Sequence, residues 1–305
     1  MGDWSKLITV NFVGGYCGDF ICSLVYNSYY GSQVDFFNSV TKAKFSPNMA
    51  SFKNIAFEGE GLRNFDMITN LYYNNDFYST FVNDINRVSD NIDFFDYAYS
   101  HVAKIYRTCY DPDKQTFINN VLDYCRNVVP SDLKDFTIIT HHSTDTRIPE
   151  FKFSNIFLGS HNIAIVSSDS KFDRYFRLLG YHKFYKRLYT DRTLKQAFQQ
   201  MRALESEFLI SCERSVLNDM GEIKIYVDKF LFSNDFTYVK QMEDIFSSIM
   251  GKQIVFNKDA IKTYRENNRK IYSRYLNIPE DFDHVDPINV SKINAFMDDV
   301  EGKNV

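Results

Sequence analysis

No stretch of this chain approaches 18 consecutive apolar residues, so no membrane-spanning helix is expected. Cysteine is sparse and odd in number: Cys17, Cys22, Cys109, Cys125 and Cys212. None of the spacings is a CxxC pair or a zinc knuckle, so reduced thiols in a cytoplasmic protein are expected rather than a disulfide framework. The opening MGDWSKLITVNFVGG lacks a basic stretch leading into a long apolar run, so no signal peptide is expected. Neither sign of charge dominates: 35 Lys and Arg stand against 39 Asp and Glu, a formal net charge of −4. That balance argues against a nucleic-acid-coating surface and leaves room for a local basic pocket. The phosphate-loop pattern GxxxxGK[ST] and the dinucleotide pattern GxGxxG are both missing.

What is present is a globular composition, 44% apolar and 24% charged over 305 residues, well above the size at which a core needs cross-links. The aromatic share is high, with 29 Phe and 21 Tyr but 1 Trp. These residues are spread along the whole chain beside abundant Asn, Asp and Lys. AT-rich coding, as in phages and viruses, accounts for that bias; stacking platforms for bases or sugars are the functional alternative.

Short apolar runs at 7–13, 135–140, 162–167 and 223–227 read as strands. Helical periodicity covers 19–30, with Asp19 as N-cap and Gly31 as stop, and then most of 64–129, including 114–128 after Asp111-Pro112-Asp113. Further helices are expected at 171–186, within 187–217, at 237–250 closed by Gly251, and at 259–276. Strands separated by long helical stretches imply an α/β fold, a parallel β-sheet flanked by helices. The expected organisation is one domain over 1–280 with a helical insertion at about 64–130, then an acidic, loosely attached tail over 281–305.

Four segments carry candidate chemistry. The first strand runs straight into Gly14-Gly15-Tyr16-Cys17-Gly18 and a helix opening with Asp19 and Phe20. Glycines let backbone N–H groups close on an anion, and the helix start adds partial positive charge. A plain strand-to-helix turn is the simpler reading. The second is Thr140-His141-His142 at a strand's carboxyl end, where open parallel sheets bind ligands and a histidine serves as general base near neutrality. A polar loop pair is its simpler reading. A metal is not expected there, because adjacent histidines rarely share one ion and no Cys or Asp cluster completes a site. The third is Ser167-Ser168 before a basic stretch with Arg174 and Arg177, suited to a second phosphate or, more simply, to an N-capped helix with a solvated face. The fourth is Tyr264 to Lys270, where Arg265 is either a cation reaching a nucleotide or part of a charged surface.

In order and spacing these pieces resemble the P-loop sulfotransferase family, in particular its divergent bacterial and phage members. The matching segments are ITVNFVGGYCGDFICSLV, TIITHH, NIAIVSSDSKFDRYFRLLGYHKF, and a late DKFLFSNDFTYVKQMEDIFSSIMGKQI followed by a Y-x-x-x-N helix. The resemblance implies a P-loop NTPase-like three-layer sandwich and sulfuryl transfer from 3′-phosphoadenosine 5′-phosphosulfate to a hydroxyl or amine, without a metal. It implies that Gly14 to Phe20 hold the 5′-phosphosulfate and that Ser167, Ser168, Arg174, Arg177 and Arg265 serve the rest of the donor. His141, or else His142, is implied as the base. Ser23 would join the first phosphate site if its helix face allows. The loop carries Tyr16 and Cys17 where the family usually has Lys or Arg. A catalytically degenerate member acting as a phage, viral or host-interaction protein is the alternative. The implied partners are the nucleotide donor and a small-molecule, glycan or protein acceptor; a homodimer is compatible with the sequence.

Overall fold

The computed structural model describes residues 4–12, 16–31, 49–51, 108–128, 133–142, 156–168, 172, 175–176, 223–233, 235–281, 283 and 286–300. Five described strands form one sheet: β1 (Leu7–Phe12), β2 (Met49–Ser51), β3 (Thr137–His142), β4 (His161–Val166) and β5 (Ile223–Tyr226). Their order in space is β2-β3-β1-β4-β5. β2 runs parallel to β3, with Ser51 opposite Thr140. The Thr137 N–H donates to the Lys6 carbonyl at 2.9 Å, where β1 and β3 begin. The α/β class is as expected; β2 lies between 31 and 64, where the sequence reading placed no element.

The helices are α1 (Gly18–Tyr30), α2 (Lys114–Val128), α3 (Val227–Phe232), α4 (Thr237–Met250), α5 (Lys258–Leu276) and α6 (Pro287–Val300). α2 and α4 keep the expected bounds. α1 stops at Gly31 and α4 at Gly251, both left-handed with φ 66° and φ 59°, as a C-terminal glycine allows. α5 begins at Asn257, whose side chain accepts the Ala260 N–H at 3.0 Å, a regular N-cap. α3 was not anticipated: the chain leaves β5 directly into a six-residue helix. The loose acidic tail is also replaced, because α6 buries Ile293 and Met297. Its Ile-Asn-Ala-Phe-Met run gives an apolar face that acidic composition hides.

The chain divides into two compact units, and the sheet contributes to both. The first holds residues 1–11, 42–163 and 214–222. Every residue of β1 is buried, the pattern of a strand covered on both faces. Trp4 packs edge-on to Phe157 at 5.1 Å. The strand interior is not wholly apolar. Thr9 donates to Asn162 Oδ1 at 2.5 Å, and Asn162 donates to the Ser160 carbonyl at 3.2 Å.

The second unit holds residues 12–41, 164–213 and 223–305. Its core is aromatic. Phe232 lies between Phe172, Tyr175 and Phe176, at ring separations of 5.4, 5.6 and 5.9 Å. The Tyr272 hydroxyl donates to the Tyr175 carbonyl at 3.0 Å, satisfying a polar tip inside the core. Glu243 is buried on α4 and accepts the Phe256 N–H at 2.8 Å, fastening the α4–α5 connection.

Candidate functional site

In the sheet order β1 and β4 are neighbours. The described chain leaves β1 toward β2 and β3 on one side and leaves β4 toward β5 on the other. That is a topological switch point, where open α/β sheets place ligands beyond the strand carboxyl ends. Two predicted segments sit there: the turn from β1 to α1 and Ser167-Ser168 after β4. The flanking residues Phe12–Tyr30, Ala164–Ser168 and all of α3 to α5 belong to the second unit.

Gly14 and Gly15 lie outside the described residues. Tyr16 and Cys17 are buried, and the Tyr16 ring meets Phe176 at 4.8 Å. The left-handed residue of the turn is Cys17, with φ 61° and ψ 18°, an uncommon conformation for a side-chain-bearing residue. Its carbonyl accepts the Ile21 N–H at 3.0 Å and so opens α1. Gly18 is needed for a different reason from backbone freedom. A Cβ there would stand 2.1 Å from Phe12 Cδ1 and 2.3 Å from Phe12 Cγ. Asp19 places a carboxylate in the first turn of α1, which suits the helix dipole and offsets the positive potential a phosphate would use. Phe20 is a packing residue: its ring stacks on Tyr264 at 3.9 Å and 4°. The Ser23 hydroxyl donates to the Phe20 carbonyl at 2.5 Å, so its proton is already spent inside the helix.

Burial, and next the adjacent Cys17, push the Tyr264 phenol well up. The Asn268 amide lies against the same hydroxyl, and its nitrogen is buried without a hydrogen-bond partner among the described residues. Tyr264, which with Asn268 makes the Y-x-x-x-N pair, thus packs over the start of α1. Burial and then the Asp19 charge also raise the Cys22 thiol. Cys17, Cys22 and Cys109 are buried and outside any disulfide.

Beyond β4, Ser168 is exposed and Ser167 half-buried. The Ser168 backbone N–H donates to Asp228 Oδ1 at 2.7 Å, and its hydroxyl donates to Asp228 Oδ2 at 2.5 Å. Both Ser168 donors therefore hold a carboxylate of the protein itself. Arg174 and Arg177 lie outside the described residues. Phe172, Tyr175 and Phe176 beside them are buried.

Arg265 is buried and braces the far end of α3. Its Nε donates to the Phe230 carbonyl at 2.8 Å and Nη1 to the Asp235 carbonyl at 3.1 Å. The guanidinium lies 5.2 Å from the Phe236 ring centroid. Nη2 is buried with no hydrogen-bond partner among the described residues. Burial, then Arg269, lower its pKa, and Asp235 opposes them; an arginine stays charged regardless. α3 is thus held at its start by Ser168 through Asp228 and at its end by Arg265.

His141 and His142 are the last two residues of β3, inside the strand rather than after it. They belong to the first unit, and their side chains lie outside the described residues. The adjoining Thr140 is buried, and its hydroxyl has no hydrogen-bond partner among the described residues.

Among the described residues no cluster of His, Cys, Asp and Glu is arranged to hold a metal ion, and no helix is long and apolar enough to cross a membrane. Comparison with protein-family models, curated proteins and solved structures finds no match. Asp228 is the residue that reading the sequence passed over. The signal was available: Asp228 follows β5 almost at once, the same strand-end position that marked His141 and Ser168.

Proposed function

We propose that the chain is a sulfotransferase-type enzyme that takes its sulfuryl group from 3′-phosphoadenosine 5′-phosphosulfate, on a P-loop-like three-layer fold. The observation that carries this reading is the adjacency of β1 and β4, which brings the turn before α1 and the Ser167-Ser168 segment to one switch point. The turn from Gly14 to Phe20 takes the 5′-phosphosulfate end of the donor. Ser167, Ser168 and the cations Arg174, Arg177 and Arg265 serve its other phosphate. The acceptor hydroxyl or amine attacks sulfur, the bond from sulfur to the bridging oxygen breaks, and adenosine 3′,5′-bisphosphate leaves. His141, with His142 as the alternative, takes the acceptor proton. No metal is required by this chemistry, because the leaving group is a stabilised phosphate. The enzyme acts in the cytoplasm, that of the host if a phage or virus encodes it.

A second reading is favoured by the site's own polar groups. Ser168 spends its donors on Asp228, Arg265 spends two nitrogens on carbonyls, and Asp19 lies at the helix start. These features fit a degenerate member whose donor site has been filled by protein and which works by binding a partner.

Calorimetry with adenosine 3′,5′-bisphosphate separates the two. Binding is expected, with stabilisation of about 2.7 kcal/mol at a hundred times the dissociation constant. Replacing a working histidine base by alanine lowers turnover by about 10²–10⁴ while leaving that binding intact, so His141→Ala and His142→Ala identify the base. No binding at millimolar nucleotide selects the degenerate reading. Turnover unchanged in both variants removes the histidines from the mechanism.

A further inference from the structure

We infer that Asp228 is an internal occupant of the anion seat after β4, an autoinhibitory contact that a ligand's phosphate or sulfate group must displace. The inference rests on the donor-site reading above and concerns its regulation. A backbone N–H and a hydroxyl from one residue form a donor pair of the kind with which loops hold anions. Ser168 supplies that pair, and the Asp228 carboxylate takes both members, at 2.7 and 2.5 Å. Ser168 is exposed, while Asp228 is only 6% exposed. The seat therefore opens to solvent on one side and is plugged from the protein side.

The plug is carried by α3, which is only six residues long and follows β5 without a loop. Its two ends are tied differently. At its start the tie is Asp228 to Ser168. At its end Arg265 holds the Phe230 carbonyl, and Phe230, Leu231 and Phe232 are buried; Val227, beside Asp228 at the start, is buried as well. The aromatic anchorage at Phe232 and the buried Val227 hold the backbone of α3 at both ends, so rotation of the Asp228 side chain is what vacates the seat. A ligand anion and Asp228 compete for the same two protons, and like charges do not share such a seat. Only the fraction of molecules with the seat vacated binds the ligand, and the apparent affinity is reduced by that fraction. For two hydrogen bonds to a charged group, the reduction is about 10²–10⁴-fold.

The test compares the full chain with Asp228→Asn, Asp228→Ala and the double variant Asp228→Asn/Ser168→Ala. Asn keeps the shape of the side chain and removes its charge, so it retains the fold even if Ala does not; circular dichroism checks this. The probes are sodium sulfate, at ionic strength matched with sodium chloride, and adenosine 3′,5′-bisphosphate, both by calorimetry. The expected result is at least tenfold tighter binding to Asp228→Asn than to the native chain, with the gain lost in the double variant. Nucleotide binding of equal strength with and without Asp228 overturns the inference and leaves the donor reading standing. A gain for sulfate alone, with no nucleotide bound by any form, supports the plugged seat and removes the donor reading. No gain for either probe overturns the inference.

Discussion

Replacing Gly18 by alanine tests whether the glycine after β1 serves close packing or close approach of a phosphate. The added Cβ would lie 2.1, 2.2 and 2.3 Å from Cδ1, Cε1 and Cγ of Phe12. Carbon atoms prefer about 3.5–4.0 Å, so a gap of well over an ångström has to open. The root of the ring is among the struck atoms, so swinging the ring tip does not relieve the contact. Phe12 is 2% exposed at the end of the central strand. Overpacking of this kind costs about 1–3 kcal/mol. Against it, alanine is favoured over glycine in a helix interior by about 0.8–1.0 kcal/mol, and by less in the first turn. The expected net loss is about 1–2 kcal/mol, a fall in melting temperature of several degrees. Urea and thermal unfolding measure it, and a cycle with Phe12→Leu locates it. The double variant is expected to lose about 1 kcal/mol less than the sum of the single losses, because the ring that is struck has gone. A neutral or stabilised Gly18→Ala, or strict additivity with Phe12→Leu, refutes the packing argument.

Two more outcomes follow from the buried polar groups. Arg265→Met strips the donors from the Phe230 and Asp235 carbonyls, and each lost bond to a charged group is worth about 1.5–3 kcal/mol. A large drop in the urea midpoint is expected, with Arg265→Lys recovering part of it; unchanged stability would refute the bracing role. Burial pushes the Cys109 thiol from 9.0 up to about 11. The folded state holds that proton more tightly, so the stability it contributes is complete below pH 9 and is lost as pH rises toward 11. Urea midpoints across that window should fall less steeply in Cys109→Ala than in the native chain.

How much of the fold could be read beforehand differs element by element. α4 was legible residue by residue because its apolar face repeats at helical spacing and Gly251 ends it. α2 was legible because Asp111-Pro112-Asp113 sets its start. β1 read as a buried strand because its residues are β-rich and nearly unbroken by charge. α3 was not legible, since six residues give too little periodicity and Val-Asp-Lys-Phe-Leu-Phe continues a strand-like run. α6 was hidden by acidic composition, although Ile293 and Met297 face the core at four-residue spacing. β2 is too short to announce itself and exists only by pairing with β3.

Local chemistry, then, is a property of the sequence alone: which residues make strands and helices, where Gly31 and Gly251 stop them, and that Gly18, His141 and Ser168 stand at or just beyond strand carboxyl ends. These follow from backbone sterics and hydrophobic spacing within a few residues. Partnership is decided by the tertiary structure. Ser168 and Asp228 are 60 positions apart in the chain, and Arg265 reaches a carbonyl 35 positions away. A hydroxyl or a guanidinium has the same inventory of donors wherever it stands, but which acceptor uses them depends on what long-range packing brings near. For that reason Ser168 and Arg265 could be singled out as polar groups from the sequence, while their ties to the two ends of α3 emerged only from the folded chain.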